Sequence, residues 1–237
     1  NYAGSPVAVC WFTNFSCNAR CAFCCKAAEI AAGREAFPPL PPGGFKELLV
    51  RIRRSVDLLY LSGGEPLIHP HILDILQAAR ELEFHSIGLS SNLISLARVP
   101  EVLEYLDVVS VSIHSPDVEV HATNLRVPRA VAQQVFDNLE MIKAARRRRR
   151  IKLLVNCVIN EQNLSSVLEM VAFAKRHGCM LEVAPANEDG RIPRALADNP
   201  EYRRIIDELL ELRRSKQAPH LAGSTHYYER IRSFEPF

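Results

Sequence analysis

The sequence lacks several features that would assign it to a broad class. No apolar run among its 237 residues approaches the roughly 18 residues that a membrane-spanning helix needs. The net charge is only +2, so no strong field points to nucleic acid or anionic lipid as a partner. Neither an internal repeat nor a low-complexity segment stands out, which argues against a solenoid and a disordered linker. We therefore expect an ordinary globular protein with no membrane span and no nucleic-acid partner.

The first residues, "NYAGSPVAVCWFT", also lack the basic start and small-residue cleavage site of a signal peptide. The cysteine content also argues against a secreted protein. The seven cysteines are odd in number, and four of them lie within residues 17–25. A secreted disulfide framework is normally shorter, even-numbered and more evenly spread. We therefore expect a cytoplasmic protein that uses thiolates as metal ligands.

Short apolar runs alternate along the chain with amphipathic helical patterns. The runs are Val7–Thr13, Asp57–Ser62, Ser86–Ser91, Val108–His114, Lys152–Asn160 and Cys179–Pro185. The helical patterns lie near Gly44–Arg54, Pro70–Glu83, Leu96–Leu106, Pro128–Arg146 and Leu164–His177. Such alternation predicts an α/β fold in which right-handed crossovers wind six parallel strands into a partial (β/α)6, TIM-like barrel.

The alternation of apolar runs and helical patterns stops after Pro185. We predict a core over residues 1–190 and a C-terminal helical extension over 191–237. The extension has a helix at Glu201–Lys216 and an irregular tail that contains a short helical turn. Functional residues of such folds lie where the strands end. Polar or glycine-rich segments stand at those positions here, namely Thr13–Cys24, Gly63–Pro66, Ser90–Asn92, Ser112–His114 and Asn156–Asn160.

Cys17, Cys21 and Cys24 are spaced C-x3-C-x2-C directly after the first predicted strand. Positions i, i+4 and i+7 also share one face of an α-helix, so three structural core cysteines would have the same spacing. A zinc site would need a fourth ligand, either Cys25 or a distant histidine. Three thiolates in a loop suit an iron–sulfur cluster that has one iron left open.

The cysteine segment contains an aromatic residue, Phe23, in the pattern C-x3-C-x-aromatic-C, and "SGGEP" follows at Ser62–Pro66, where the second strand ends. In this combination the chain resembles the radical SAM superfamily with a MoaA-like (molybdenum-cofactor cyclase-like) core, over roughly Val7–Pro185. The resemblance implies a [4Fe–4S] cluster on Cys17, Cys21 and Cys24. It also implies S-adenosylmethionine (SAM), cleaved reductively to a 5′-deoxyadenosyl radical that abstracts hydrogen from substrate.

The resemblance also implies a set of SAM-binding residues at the strand ends. They are Phe23, Gly63, Gly64, Glu65, Ser90, Asn92, Ser112, His114 and Asn156. Many relatives carry an acidic residue where His114 stands, which puts the family's ribose contact in doubt. Each residue also has a plain structural interpretation, such as a core phenylalanine at 23, a glycine turn at 63–64 or a helix cap at 90–92.

Many relatives add a cysteine-rich SPASM or twitch extension that binds auxiliary clusters. No cysteine follows Cys179, so the residues present cannot bind such a cluster, and we expect residues 191–237 to lead toward that region. The resemblance further implies a reductant protein such as flavodoxin or ferredoxin. The substrate is then a peptide or a small natural-product or cofactor precursor, and the reaction an oxidoreductase, transferase or lyase type.

Two other functions remain open from the sequence. One is a non-enzymatic iron–sulfur redox carrier or sensor, and the other is a structural zinc protein. A run of five arginines, Arg146–Arg150, follows a predicted helix, and we interpret it as a solvated helix end rather than an RNA-binding patch.

Overall fold

A computed structural model of the chain describes residues 6–24, 27 and 38–234. All six predicted strands are present in it. They are β1 (Ala8–Phe12), β2 (Leu58–Ser62), β3 (Ser86–Ser91), β4 (Val108–Ser112), β5 (Lys152–Ile159) and β6 (Met180–Pro185). They form one sheet in chain order, β1 to β6, and every strand pair with a described register is parallel. The prediction of an α/β fold with six parallel strands is confirmed.

The strands form where the sequence predicts because their side chains suit a sheet buried by helices. In β5, residues Leu153, Val155, Cys157 and Ile159 alternate as buried side chains, which is the period of two that a strand requires. In β3, Ile87, Gly88 and Leu89 are buried in succession, as expected for a parallel strand covered on both faces.

Eight α-helices have both ends within the described part of the chain. They are α1 (Pro42–Arg53), α2 (Ile72–Glu81), α3 (Val118–Leu125), α4 (Arg129–Ala145), α5 (Glu169–His177), α6 (Arg194–Ala197), α7 (Pro200–Arg214) and α8 (Thr225–Ser233). Helices α1, α2, α4, α5 and α7 fall on predicted patterns. Helix α5 ends where predicted, because Gly178 adopts the left-handed conformation at φ 59°.

Three helical predictions need correction. The pattern at Leu96–Leu106 forms two short 3-10 helices, Leu96–Arg98 and Pro100–Glu104, because Pro100 lacks the N–H that a continuous α-helix would use. Helix α3 is absent from the predicted patterns and begins at Asp117, whose carboxylate accepts the N–H groups of Glu119 and Val120. The short helical turn predicted in the tail is a longer helix, α8, of nine residues.

The chain divides into two compact units. The first comprises Asn1–Asn18, Lys26–Val111 and Gln134–Lys152, and the second comprises Ala19–Cys25, Ser112–Gln133 and Leu153–Phe237. In the first unit, Phe45 and Leu49 of α1 and Ile75 and Leu76 of α2 are fully buried. In the second, Tyr202, Ile205 and Leu209 of α7 and Tyr228 and Ile231 of α8 are fully buried.

The C-terminal segment of the second unit is bonded to β6. The N–H of Leu181 donates to the carbonyl of His220 at 2.8 Å, and the N–H of Ala222 donates back to Leu181 at 2.7 Å, in a parallel bridge. The hydroxyl of Tyr227 in α8 donates to the carbonyl of Val183 at 2.9 Å. These bonds attach the extension to the sheet; the boundary at residue 190 stays a prediction. No helix in the described part of the chain has the length and apolar character to cross a bilayer.

Arg149, within the arginine run, has a structural role. The guanidinium of Arg149 donates to the carbonyl of Glu104 and lies 3.5 Å from the Asp107 carboxylate, which also pairs with Arg80 at 2.7 Å. These two arginines and the N–H of Ile87 hold the pKa of Asp107 below its usual value, against the opposing effect of burial. Arg147, Arg148 and Arg150 are exposed, which agrees with a solvated helix end.

Candidate cofactor site

The cysteine segment is a loop. Residues 17–24 contain no helix, and a turn brings the N–H of Cys24 to the carbonyl of Cys21 at 3.2 Å. The alternative of three core cysteines on one helical face is therefore wrong. The side chains of Cys17, Cys21 and Cys24 are partly exposed rather than buried. Cys25, which is not part of the C-x3-C-x2-C pattern, lies outside the described residues.

In the first unit, the chain leading to Cys17 is bonded to the turn after β2. The N–H of Gly64 donates to the carbonyl of Asn14 at 3.0 Å, and the N–H of Glu65 donates to the carbonyl of Ser16 at 2.7 Å. The side chain of Asn14 closes the arrangement by donating to the carbonyl of Glu65 at 2.9 Å. The "GGEP" turn and the residue before the first cysteine are therefore held together by backbone hydrogen bonds.

The two glycines of this turn are needed for that contact. A Cβ on Gly64 would lie 2.0 Å from the carbonyl oxygen of Ser16, and one on Gly63 would lie 2.5 Å from that of Asn14. Gly63 also has a φ of 133°, which other residues rarely adopt. We expected these glycines to admit a ligand, whereas the structure shows that they admit the chain before Cys17. A direct SAM contact at Gly63 or Gly64 stays a prediction.

Glu65 is buried, and both of its carboxylate oxygens are used within the protein. One oxygen accepts the N–H of Leu67 at 2.9 Å and the hydroxyl of Ser91 at 2.8 Å, while the other accepts the N–H of Asn92 at 2.8 Å. Burial raises the pKa of Glu65 to about 6, although these hydrogen bonds act in the opposite direction. The carboxylate therefore holds the end of β3 through Ser91 and Asn92. This role of Glu65 was not predicted from the sequence.

The amide of Asn92 lies beside the first cysteine. Its Nδ2 donates to Asn18 Oδ1 at 2.8 Å and approaches the sulfur of Cys17 at 3.8 Å. Its Oδ1 accepts the N–H of Ile94 at 3.0 Å. Both amide hydrogens therefore have partners within the first unit. Ser91 donates to the Glu65 carboxylate, and a direct role for Ser90 or Asn92 in SAM binding stays a prediction.

Three thiols in one loop suit an iron–sulfur cluster. In the described part of the chain, no three His, Cys, Asp or Glu side chains converge as ligands of one ion. A [4Fe–4S] cluster requires a different arrangement, because each thiolate binds its own iron atom. Three partly exposed thiols in a loop, one of them with an N–H donor beside its sulfur, fit that requirement.

The second unit holds Phe23 against His114. The two rings meet edge to face with their centroids 4.6 Å apart, and the N–H of Arg20 ties the cysteine loop to the carbonyl of Leu125 at 3.0 Å. His114 is 2% exposed, and its Nδ1 accepts the N–H of Val158 at 3.1 Å. The imidazole is therefore neutral with its proton on Nε2, since an Nδ1 that accepts cannot carry the proton.

Buried polar groups surround His114. Its N–H donates to Nδ1 of His121 at 3.4 Å, and its carbonyl accepts the amide of Asn163 at 2.7 Å. Burial and, secondarily, His121 hold the pKa of His114 well below its usual value, and burial lowers that of His121 to about 4. Cys157 lies in this cluster, where burial raises the pKa of its thiol to about 12. This fully buried position suits a packing role for Cys157.

Ser112 and Asn156 are the remaining predicted contacts. Ser112 is the last residue of β4 and is partly exposed, while His114 lies two residues beyond the strand. Asn156 is partly exposed in β5, and its buried Oδ1 has no protein partner within the described residues. An amide oxygen left without a partner is costly and suits an acceptor for a ligand donor.

Several polar residues that organise these loops were not singled out from the sequence, although Asn14, Asn18, Ser91 and Asn160 lie in the predicted strand-end segments. They are Asn14, Asn18, Ser91 and Ser95 in the first unit, and His121, Asn124, Asn160 and Asn163 in the second. The density of Asn and Ser after strand ends was the available signal, since these residues bond readily to loop backbone.

Comparison with known proteins identifies the family. The model of the radical SAM superfamily matches residues 12–174. Bovine (Bos taurus) molybdenum cofactor biosynthesis protein 1 is 32% identical over 105 residues, covering 41% of this chain and 16% of that protein. GTP 3′,8-cyclase of Synechocystis sp. is 26% identical over 161 residues, covering 68% of this chain and 48% of that protein. The chain spans no more than about half the length of these relatives.

A solved structure supports the fold. Streptococcus suis SuiB bound to S-adenosylmethionine superposes with a TM-score of 0.71 at 20% identity, covering 92% of this chain and 50% of that chain. The partial-barrel prediction is confirmed by this likeness. At the level of the family, the predictions of an enzyme class that uses a [4Fe–4S] cluster and SAM are also confirmed. The chain belongs to the radical SAM superfamily.

Proposed function

We propose that this chain is the core of a radical SAM enzyme whose [4Fe–4S] cluster is held by Cys17, Cys21 and Cys24. The observation that carries the proposal is the bond from the Glu65 N–H to the Ser16 carbonyl, at 2.7 Å. It joins the "GGEP" motif to the residue before the first cysteine, so the two separate motifs behave as parts of one site. A redox carrier or a zinc protein has no need of that link.

When bound, the cluster supplies the electron that cleaves SAM to methionine and a 5′-deoxyadenosyl radical. The residues of this chain would bind and orient the reactants. Asn156 offers an unpartnered Oδ1 as an acceptor, and the neutral His114 offers an Nε2–H as a donor. A donor at position 114 suits a ribose hydroxyl oxygen, whereas an acidic residue there would accept from the hydroxyl hydrogen. Phe23 provides an aromatic edge beside His114.

The substrate would be a peptide or a small natural-product or cofactor precursor. The relatives support both classes, since one is a GTP cyclase and SuiB has also been solved with its precursor peptide SuiA. A reductant protein such as flavodoxin or ferredoxin would deliver the electron, because the reaction consumes one per cleavage. Residues 191–237 would lead toward a further region of the enzyme, as the partial coverage of the relatives suggests.

Anaerobic purification and reconstitution of the chain tests the proposal. We expect a brown protein that releases 5′-deoxyadenosine from SAM when dithionite is present. A cluster without SAM cleavage would identify a redox carrier or sensor instead, and a colourless zinc protein would identify a structural metal site. Either result would contradict the proposed function.

The neighbouring cysteines provide a matched control pair. Cys24→Ser is expected to abolish the cluster and the release of 5′-deoxyadenosine, since it removes one of three ligands. Cys25→Ser is expected to leave both in place. The reverse result would show that the ligand assignment is wrong.

A further inference from the structure

Asn92 was expected to bind SAM, but its contacts point elsewhere. Its two amide hydrogens are directed at the carbonyl oxygen of the Asn18 side chain and at the sulfur of Cys17. The N···S separation of 3.8 Å is at the long end of the range for a hydrogen bond to sulfur, which is a large acceptor atom. A SAM carboxylate could receive one of these hydrogens only if an existing bond were broken.

The position of Asn92 is firmly fixed within the first unit. Its backbone N–H is held by Glu65 at 2.8 Å, and its Oδ1 accepts from Ile94 at 3.0 Å. Asn18, the second acceptor of the amide, donates in turn to the hydroxyl of Ser95 at 3.0 Å. With three of its groups bonded in this way, the side chain has little rotational freedom, and its N–H remains aimed at the sulfur.

We propose that Asn92 donates an N–H···S hydrogen bond to the Cys17 thiolate and thereby raises the reduction potential of the cluster. Glu65 is a positioning residue that acts through Asn92. This inference rests on the proposed function, because it requires a cluster on Cys17. It assigns to Asn92 a role in tuning the electron-accepting step rather than in holding SAM.

The direction of the effect follows from charge. A reduced cluster carries one more negative charge than an oxidised one, and part of that charge resides on the thiolate sulfurs. A donor N–H stabilises the more negative state more strongly, so it makes reduction easier. Removal of the donor is therefore expected to move the potential to more negative values.

Asn92→Ser is the first test variant. Serine is neutral, and its hydroxyl can replace Oδ1 as the acceptor for Ile94, but it is too short to reach Cys17. Asn92→Asp is the second variant. It preserves the shape and the acceptor while losing the N–H donor. Ser95→Ala is the matched control, because it removes a bond at the far side of Asn18 and leaves the Asn92–Cys17 contact intact.

The midpoint potential of the reconstituted cluster is measured without SAM, by a redox titration followed by electron paramagnetic resonance. We expect Asn92→Ser and Asn92→Asp to make reduction about tenfold less favourable, which is about 59 mV for a one-electron couple. Ser95→Ala should retain the wild-type potential. SAM affinity, measured in parallel by calorimetry, should change little in Asn92→Ser.

The outcomes separate this inference from the proposed function. A wild-type chain without a cluster would refute both. A wild-type chain that cleaves SAM, with a normal potential in Asn92→Ser, would overturn the inference alone. The same holds if Asn92→Ser weakens SAM binding while the potential is unchanged, which would return Asn92 to the SAM site. Should Asn92→Ser fail to hold a cluster, Asn92→Asp decides, and an unchanged potential in it would overturn the inference.

Discussion

The α-carbon of Gly64 lies so close to the carbonyl oxygen of Ser16 that a methyl group at position 64 would come within 2.0 Å of it. The neighbouring Glu65 N–H donates to that same carbonyl. The contact allows the turn after β2 to lie against the chain that enters the cysteine loop. Any side chain at position 64 must separate the two.

Gly64→Ala is predicted to lower the free energy of unfolding by about 3 kcal/mol or more, because the Cβ meets backbone rather than a movable side chain. It should also reduce the iron content after reconstitution. The control is Gly43→Ala in α1, where a Cβ meets nothing within 4 Å and helix propensity predicts a gain of up to about 1 kcal/mol. Urea unfolding measures the change in unfolding free energy of both variants. Equal changes in the two variants would contradict the prediction.

Glu65 is predicted to make stability depend on pH in an unusual direction. Burial raises its pKa to about 6, above the 4.5 expected in the unfolded chain, so the folded state binds the proton more tightly. The associated stability is present below about pH 4.5 and is lost as the pH rises through about 6, by roughly 2 kcal/mol. Glu65→Gln should remove this component.

The comparison is the difference in unfolding free energy between wild type and Glu65→Gln, measured in apo protein from about pH 4 to about pH 7. Other titrating groups cancel in that difference. Because the Gln variant directs an NH2 group at the N–H of Asn92, we expect it to be destabilised at all pH values. A difference that does not vary with pH would show that Glu65 has an ordinary pKa.

The cysteines are predicted to differ in reactivity. Cys10, Cys17, Cys21 and Cys24 are at least partly exposed, whereas Cys157 and Cys179 are buried. Brief alkylation of native apo protein should therefore modify the first four and spare the last two. After reconstitution, Cys17, Cys21 and Cys24 should become protected while Cys10 continues to react. Mass spectrometry of peptides reads this pattern, and continued labelling of Cys17 in loaded protein would argue against it as a ligand.

Phe23→Leu is predicted to weaken SAM binding about fivefold, since an aromatic contact of this kind is worth about 1 kcal/mol. The ring packs on His114, and the proposed function assigns both residues to SAM binding. Phe23→Tyr preserves the ring and should retain nearly normal affinity. Calorimetric titration of reconstituted protein with SAM gives both values, and an equal loss in the two variants would point to a packing defect.

Arg149→Ala is predicted to lower the free energy of unfolding by about 1 kcal/mol, because its guanidinium bonds the Glu104 carbonyl and lies near Asp107. The exposed Arg148 serves as the control, and Arg148→Ala should change stability by less than about 0.5 kcal/mol. Both variants lose the same charge, so a shared loss would indicate a general electrostatic effect and not the specific contact.

The strands were predictable from sequence because their buried runs are short, apolar and bounded by polar turns. Helix α3 was not, since its buried face includes His121 and Asn124 in place of apolar residues. Those side chains are buried through bonds that only the folded chain supplies, such as the one from Asn160 to Asn124 at 2.6 Å. A search for apolar periodicity cannot detect such a face.

The candidate site was also only partly predictable from the sequence. The rule that parallel strands end at one edge of the sheet located the segments around Gly64, Asn92 and His114. It could not assign their partners, because the use of Glu65 by Ser91 and Asn92 depends on the path of each loop. The family resemblance indicated which cofactor to expect. The hydrogen bonds seen in the structure were needed to recognise Glu65 as a residue that positions Ser91 and Asn92.

The pairing of His220–Ala222 with Leu181 has a consequence for solubility. β6 stands at one end of the strand order, where unpaired N–H and carbonyl groups would invite strands of other molecules to add on. The short segment occupies those groups at Leu181, and Tyr227 caps the carbonyl of Val183. The same residues that attach the C-terminal helices therefore also protect a crowded solution of this protein from edge-to-edge aggregation.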